Sequence, residues 1–116
     1  MIKLPANKML LTVSLSGAGT FKSMTPNVPE QPEEIAQQAY DCWKEGAAII
    51  HIHARDKEGQ PTGDASVFAD IKKRIRDMGV DAIIQFSTGG GPSLTNEERM
   101  ECLDAIPNPP RSTLVR

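Results

Sequence analysis

The sequence predicts an α/β fold on parallel strands, a TIM-type (β/α)8 barrel of which residues 1–116 hold only the first three or so units, as one partial domain. Three observations carry that expectation. Apolar, strand-like runs recur roughly thirty-five residues apart. Each is followed by a loop and a helical pattern, the alternation that builds a parallel sheet with helices outside. Polar residues able to do chemistry gather at the carboxyl end of every run, as they do at a barrel mouth. A doubly wound sheet competes, but it favours G-x-G-x-x-G after its first strand, and Gly17-Ala18-Gly19-Thr20-Phe21-Lys22 lacks the third glycine. A closed barrel takes about 250 residues, so three units cannot close one.

The first run, Met9–Leu15, is rich in strand formers and free of proline; a polar loop carrying Pro26 and Pro29 follows to Gln31. A helix is expected from Pro32, because proline suits a first helical turn and Glu33 and Glu34 favour its positive end. Its apolar stripe is Ile35, Ala36, Ala39, Tyr40 and Trp43, closed by Gly46. The second run, Ala47–His53, is apolar on both faces until its histidines, as in a strand covered on both sides. After a turn-rich stretch to Gly63, Asp64 or Ser66 caps a helix whose buried stripe is Val67, Phe68, Ile71, Ile75 and Met78, ended by Gly79. The third run is Val80–Phe86. Thr95 and Glu98 make a capping box for a helix reaching about Ala105. Pro107 to Pro110 break any helix, and Leu114 and Val115 begin a fourth strand. With only three units, Val13, Ile50, Ile84 and Phe86 are expected to lack part of their covering.

Composition narrows function by exclusion. With 24% charged residues and a formal net charge of -2, the chain has neither a basic field for nucleic acid nor an acidic tail. No apolar run approaches the ~20 residues that span a bilayer, and no secretion signal is evident. Cys42 and Cys102 form no metal or redox spacing, so reduced thiols in the cytoplasm are expected.

His51-Ile52-His53 is the most informative triplet. In a strand, residues i and i+2 share a face, so both imidazoles project together, and paired neutral imidazoles suit zinc, nickel, cobalt or iron. Two histidines do not complete a catalytic zinc site, which takes three protein ligands and an open position; the sequence has no third histidine. The pair can equally end a buried strand with hydrogen bonds to neighbours, and that alternative stays open here. Asp56 can orient a ligand histidine or pair with a lysine. Ser87-Thr88-Gly89-Gly90-Gly91 offers backbone N–H groups and hydroxyls to a small carboxylate or phosphate, or is a plain turn.

Four segments, Leu11–Ala18, Thr25–Ala36, Glu45–Asp56 and Ile84–Gly90, together resemble the β-keto acid cleavage enzymes, a family that includes the 3-keto-5-aminohexanoate cleavage enzymes of lysine fermentation. The likeness runs from about Leu10 to Ala105. It implies a zinc-dependent (β/α)8 barrel, usually a homo-oligomer, that condenses a β-keto acid with acetyl-CoA to give acetoacetate and a new acyl-CoA. By that likeness His51 and His53 are the first two Zn²⁺ ligands, and Ser87, Gly89 and Gly90 hold the substrate. Gly19 stands where the lysine-fermentation enzyme has a glutamate that meets its substrate's amino group, so a different β-keto acid is expected. The family's third zinc ligand, a glutamate, and its catalytic Arg and Asp lie farther along than Arg116, and the stretch from Pro107 does not match the family's next strand. An amino-terminal fragment without activity of its own is therefore expected. The alternative from another class is a non-catalytic remnant or subunit that binds metal or carboxylate.

Overall fold

In the computed structural model, residues 3–106 and 113–115 are described. Four strands form one parallel sheet in the order β1-β2-β5-β6: β1 (Thr12–Leu15), β2 (Ile49–Ile52), β5 (Ile83–Phe86) and β6 (Thr113–Val115). Between β2 and β5 lies a small antiparallel pair, β3 (Ala54–Arg55) with β4 (Pro61–Thr62). The helices are α1 (Pro32–Lys44), α2 (Ala65–Asp77) and α3 (Asn96–Met100), the last running into a 3-10 helix, Glu101–Ala105.

Local chemistry places the helix ends as expected. Pro32 opens α1, where Glu34 reaches back to accept from the N–H groups of Glu30 and Gln31 at 3.0 Å each. Asp64, not Ser66, caps α2, its carboxylate accepting from Ser66 N–H at 2.8 Å. Thr95 and Glu98 form the reciprocal capping box of α3. The fourth strand forms where Leu114 and Val115 were expected to begin one.

Register divides the sheet into two unlike faces. Val13, Ile50 and Ile84 stand side by side across three strands, as do Leu15, Ile52 and Phe86. This face packs under α1 and α2 with Ile35, Ala36, Ala39, Phe68, Ile71 and Ile75 as the core. Each fully buried Ile or Phe contributes about 1.5–3 kcal/mol. The alternate positions, Thr12, Ile49 and Ile83 in one row and Ser14, His51 and Gln85 in the next, lie on the opposite face. None of those six side chains is fully buried.

Several expectations are corrected. Ile50, Ile84 and Phe86 are completely covered, whereas Val13 is only partly buried, as expected; Ile49 and Ile83 on the other face are also incompletely covered. Met78 is 38% exposed because it is the C-cap of α2, beyond the last turn that packs on the sheet. Tyr40 and Trp43 are half buried, and the Trp43 indole N–H donates outward to Asp81. The helix expected to reach Ala105 tightens into a 3-10 turn after Met100. Asp56 neither orients a histidine nor pairs with lysine in the described contacts. Its carboxylate accepts from the N–H groups of Glu58 and Gln60 at 2.9 Å each and fixes the β3–β4 turn.

Candidate functional site

The carboxyl ends of β1, β2 and β5 meet at one edge of the sheet and carry the polar residues singled out in the sequence. His51 lies within β2 and His53 one residue past its end. Period-two geometry sends both rings to the face that the helices leave open. There the His51 and His53 Nε2 atoms are 3.2 Å apart and the rings meet edge to face, centroids 5.0 Å apart. Beside them, His51 Nδ1 lies 2.7 Å from Oε1 of Gln85 in β5. The Ser16 hydroxyl, 3.4 Å from the His53 carbonyl oxygen, donates to it and ties the end of β1 to that of β2. Ser16 has a φ of 66°, a left-handed conformation that costs a non-glycine residue energy and that clusters at functional sites.

Electrostatics keeps His53 neutral. Partial burial comes first, the neighbouring His51 and Arg55 next, and together they lower its pKa from 6.5 to about 4. A neutral imidazole keeps a lone pair for a metal. Two nitrogen ligands of a tetrahedral zinc, each ~2.0–2.1 Å from the ion, stand about 3.3 Å apart. The observed 3.2 Å fits that spacing. Among the described residues, no cluster of three or more His, Cys, Asp or Glu side chains is placed to hold a metal.

Among the described residues, Arg55 is the largest fully buried side chain. Its guanidinium donates to the carbonyl oxygens of Gly59 at 2.8 Å, Gly17 at 2.7 Å and Thr20 at 2.8 Å, and sits 4.7 Å above the Phe21 ring. Burial lowers its pKa, opposed by the charges of Glu30 and Asp56. The loop after β1 is thus pinned from inside. At its outer side Lys22 pairs with Glu34, and its N–H donates to Glu30 at 2.8 Å.

After β5 the chain enters the serine–glycine loop. Ser87 is buried; its N–H donates to the Ile52 carbonyl at 3.0 Å, and its hydroxyl accepts from Gly89 N–H at 3.2 Å. Gly90 has a φ of 54°, a left-handed conformation that favours glycine, and a Cβ there would press on the end of the Leu94 side chain, 2.8 Å from its Cδ1. Gly89 is exposed. The structure therefore gathers His51, His53, Ser87, Gly89 and Gly90 at one end of the sheet. The sequence placed Arg55 beside His51 and His53 at the end of the second run without showing its burial, and it singled out neither Gln85 nor Ser16. Gln85 alone left a signal, as the one polar residue in Ile83–Phe86.

The sequence model of a family described as beta-keto acid cleavage enzyme matches residues 8–114, so the likeness extends past Ala105. The 3-keto-5-aminohexanoate cleavage enzyme of Fusobacterium nucleatum subsp. nucleatum is 40% identical over 100 residues, which cover 86% of this chain and 37% of that protein. The 3,5-dioxohexanoate:acetyl-CoA acetone transferase of Paraburkholderia graminis is 43% identical over 95 residues, 81% of this chain and 30% of that protein. The 3-dehydrocarnitine:acetyl-CoA trimethylamine transferase of Rhizobium meliloti is 33% identical over 88 residues, 75% and 29% respectively. The chain thus spans about a third of the length of the curated relatives it matches. Among solved structures, a ternary complex of ObcA with a C4-CoA adduct and oxalate superposes with a TM-score of 0.51 at 21% identity, covering 55% of this chain and 17% of that one. That likeness concerns fold. Among the described residues, no helix is long and apolar enough to cross a membrane.

Proposed function

The chain belongs to the β-keto acid cleavage enzyme family, and from that premise we propose that it forms the histidine-bearing wall of a zinc-dependent cleavage site. The proposed reaction joins a β-keto acid and acetyl-CoA to give acetoacetate and a new acyl-CoA. The proposed frame is a (β/α)8 barrel whose first units are β1–α1, β2–α2 and β5–α3. One observation carries the reading: His51 and His53 present their Nε2 atoms 3.2 Å apart on the open face of a parallel sheet.

Zinc bound there supplies Lewis-acid polarisation of the keto oxygen. The chain's own residues do the rest of the work assigned to this wall. His51 and His53 hold the ion, and a third ligand comes from outside the described residues. Ser87, Gly89 and Gly90 receive the substrate's carboxylate beside it, with the Gly90 conformation keeping the loop tight. Arg55 holds the β1 loop in place through Gly17 and Thr20. Gly19 in that loop is exposed, and no atom lies within 4 Å of where its Cβ would stand. An acidic side chain fits there but is lacking, which favours a β-keto acid without an amino group.

The test is a chimera in which this chain replaces the matching amino-terminal segment of the Fusobacterium enzyme. Zinc-dependent acetoacetate formation from acetyl-CoA is expected, lost on joint His51→Ala and His53→Ala substitution. Neutral β-keto acids are expected to be preferred over the aminated one, with Gly19→Glu moving the preference back. A folded chimera whose activity survives loss of both histidines would refute the metal wall. An unchanged preference after Gly19→Glu would remove Gly19 from the account of specificity.

A further inference from the structure

Each histidine of the pair has two ring nitrogens, and only one can face the partner while carrying a lone pair. A glutamine Oε1 is an acceptor and never a donor. With Oε1 turned toward the ring at 2.7 Å, the geometry assigns the proton to His51 Nδ1, which donates. The His51 Nε2 atom is then left unprotonated. Without metal, its contact with His53 Nε2 at 3.2 Å is satisfied when His53 donates from Nε2; a bound ion would take the His53 Nε2 lone pair and leave that ring's proton on Nδ1. The two neighbouring histidines hold opposite tautomers, and the cause lies on a different strand. Gln85 is placed for this by register alone, because β5 pairs with β2 in parallel and sets Gln85 directly beside His51.

We propose that Gln85 is a positioning residue that fixes the tautomer and ring orientation of His51, aiming its Nε2 lone pair at the position the two histidines share. The role rests on the metal reading above for its purpose, but not for its geometry. It explains why a polar side chain stands between Ile84 and Phe86, both fully buried on the opposite face. A glutamine that only filled space beside the sheet needs no acceptor aimed at a ring nitrogen. Without the amide oxygen, His51 is free to take the Nε2–H form that isolated imidazole favours. That form points a proton, not a lone pair, at the shared position. Partners of this kind behind a ligand histidine typically change metal affinity by about 10–100-fold.

The experiment uses the ¹⁵N-labelled 116-residue chain without metal and reads side-chain tautomers by long-range ¹H–¹⁵N correlation. The wild-type chain is expected to show His51 as Nδ1–H and His53 as Nε2–H. Gln85→Met keeps the length and removes the acceptor, and should release His51 to Nε2–H with a matching change at His53. Gln85→Glu restores an acceptor and should restore the wild-type pattern. A wild-type pattern that persists in Gln85→Met, or a wild-type His51 protonated at Nε2, overturns the proposal. Should Gln85→Met fail to fold, the wild-type and Gln85→Glu spectra still decide it. Cobalt(II) titration of the chimera, followed by visible absorption, is the second arm. Gln85→Met should bind about 10–100-fold more weakly and Gln85→Glu no more weakly than wild type; equal binding by Gln85→Met counts against the role. The expected tautomers without cobalt binding by any form would sustain Gln85 as the orienting residue and defeat the metal reading instead.

Discussion

Ile83 and Ile84 are neighbours in the chain with the same side chain, yet Ile84 is 0% exposed and Ile83 is 38% exposed. The same split separates Ile50, fully covered, from Ile49 beside it. The difference lies in what each face meets. One face is closed by α1 and α2 and is apolar throughout. The other carries an isoleucine row and, one step nearer the carboxyl ends, the polar row Ser14, His51 and Gln85. The first face makes the fold and the second carries the residues of the proposed site. An isoleucine row on an open face is also what a barrel interior would require, since inward positions there are packed by side chains.

The sharpest way to break that comparison is to truncate both neighbours. Ile84→Ala should cost about 2–5 kcal/mol, because it removes buried methyl groups and leaves a cavity. Ile83→Ala in the same chain should cost under about 1 kcal/mol, since little packed surface is lost. Urea unfolding of the two variants decides it, and equal losses would show the faces to be equivalent. In the chimera, where the added strands cover the open face, the cost of Ile83→Ala should rise toward that of Ile84→Ala. If it stays small there, the open face is not a barrel interior.

Most of the covered side was legible in the sequence because its signals are local. Proline at the first turn of α1, the Thr95–Glu98 box and the glycines after α1 and α2 act within a few residues of where they stand. The period of the apolar positions then places Ile35, Ala39, Phe68, Ile71 and Ile75 inward. The histidine pair was legible for the same reason, since i and i+2 share a face in any strand. What the sequence hid depends on contacts between distant segments. Gln85 meets His51 only through strand register, 34 residues away in sequence. Arg55 was legible as a polar residue at the end of the second run, but its burial was not. It is buried by carbonyls of a loop 35 and 38 residues earlier. Incomplete cover was expected of Ile50, Ile84 and Phe86 as well as Val13, and of these only Val13 shows it, because period-two alternation tells which residues stay together, not which face the helices choose.

Acid titration gives the smallest expected effect, and it separates the two faces by pH. His53 on the open face takes its proton at about pH 4 when folded, against 6.5 as its ordinary value. Between those values the unfolded chain binds the proton and the folded chain does not. Its contribution is therefore complete above about pH 6.5 and is lost as pH falls to about 4. Solvent reaches the ring, so the loss should be on the order of 1 kcal/mol or less, well below the full linkage value. Glu34 at the start of α1 behaves differently. The Lys22 ammonium first, then the Gln31 and Glu30 N–H groups, lower its pKa from 4.5 to about 2. Its contribution is present above about pH 4.5 and is lost only as pH falls toward 2, so the two windows scarcely overlap. Urea midpoints of the wild-type chain at pH 7, 5.5 and 4.5 should decline, whereas His53→Gln should flatten that slope and leave the steeper fall below pH 4 intact. A His53→Gln chain that declines as much as wild type between pH 7 and 4.5 would mean that His53 meets solvent freely. The imidazole would then be partly protonated near pH 6.5, and competition with protons would weaken metal binding there.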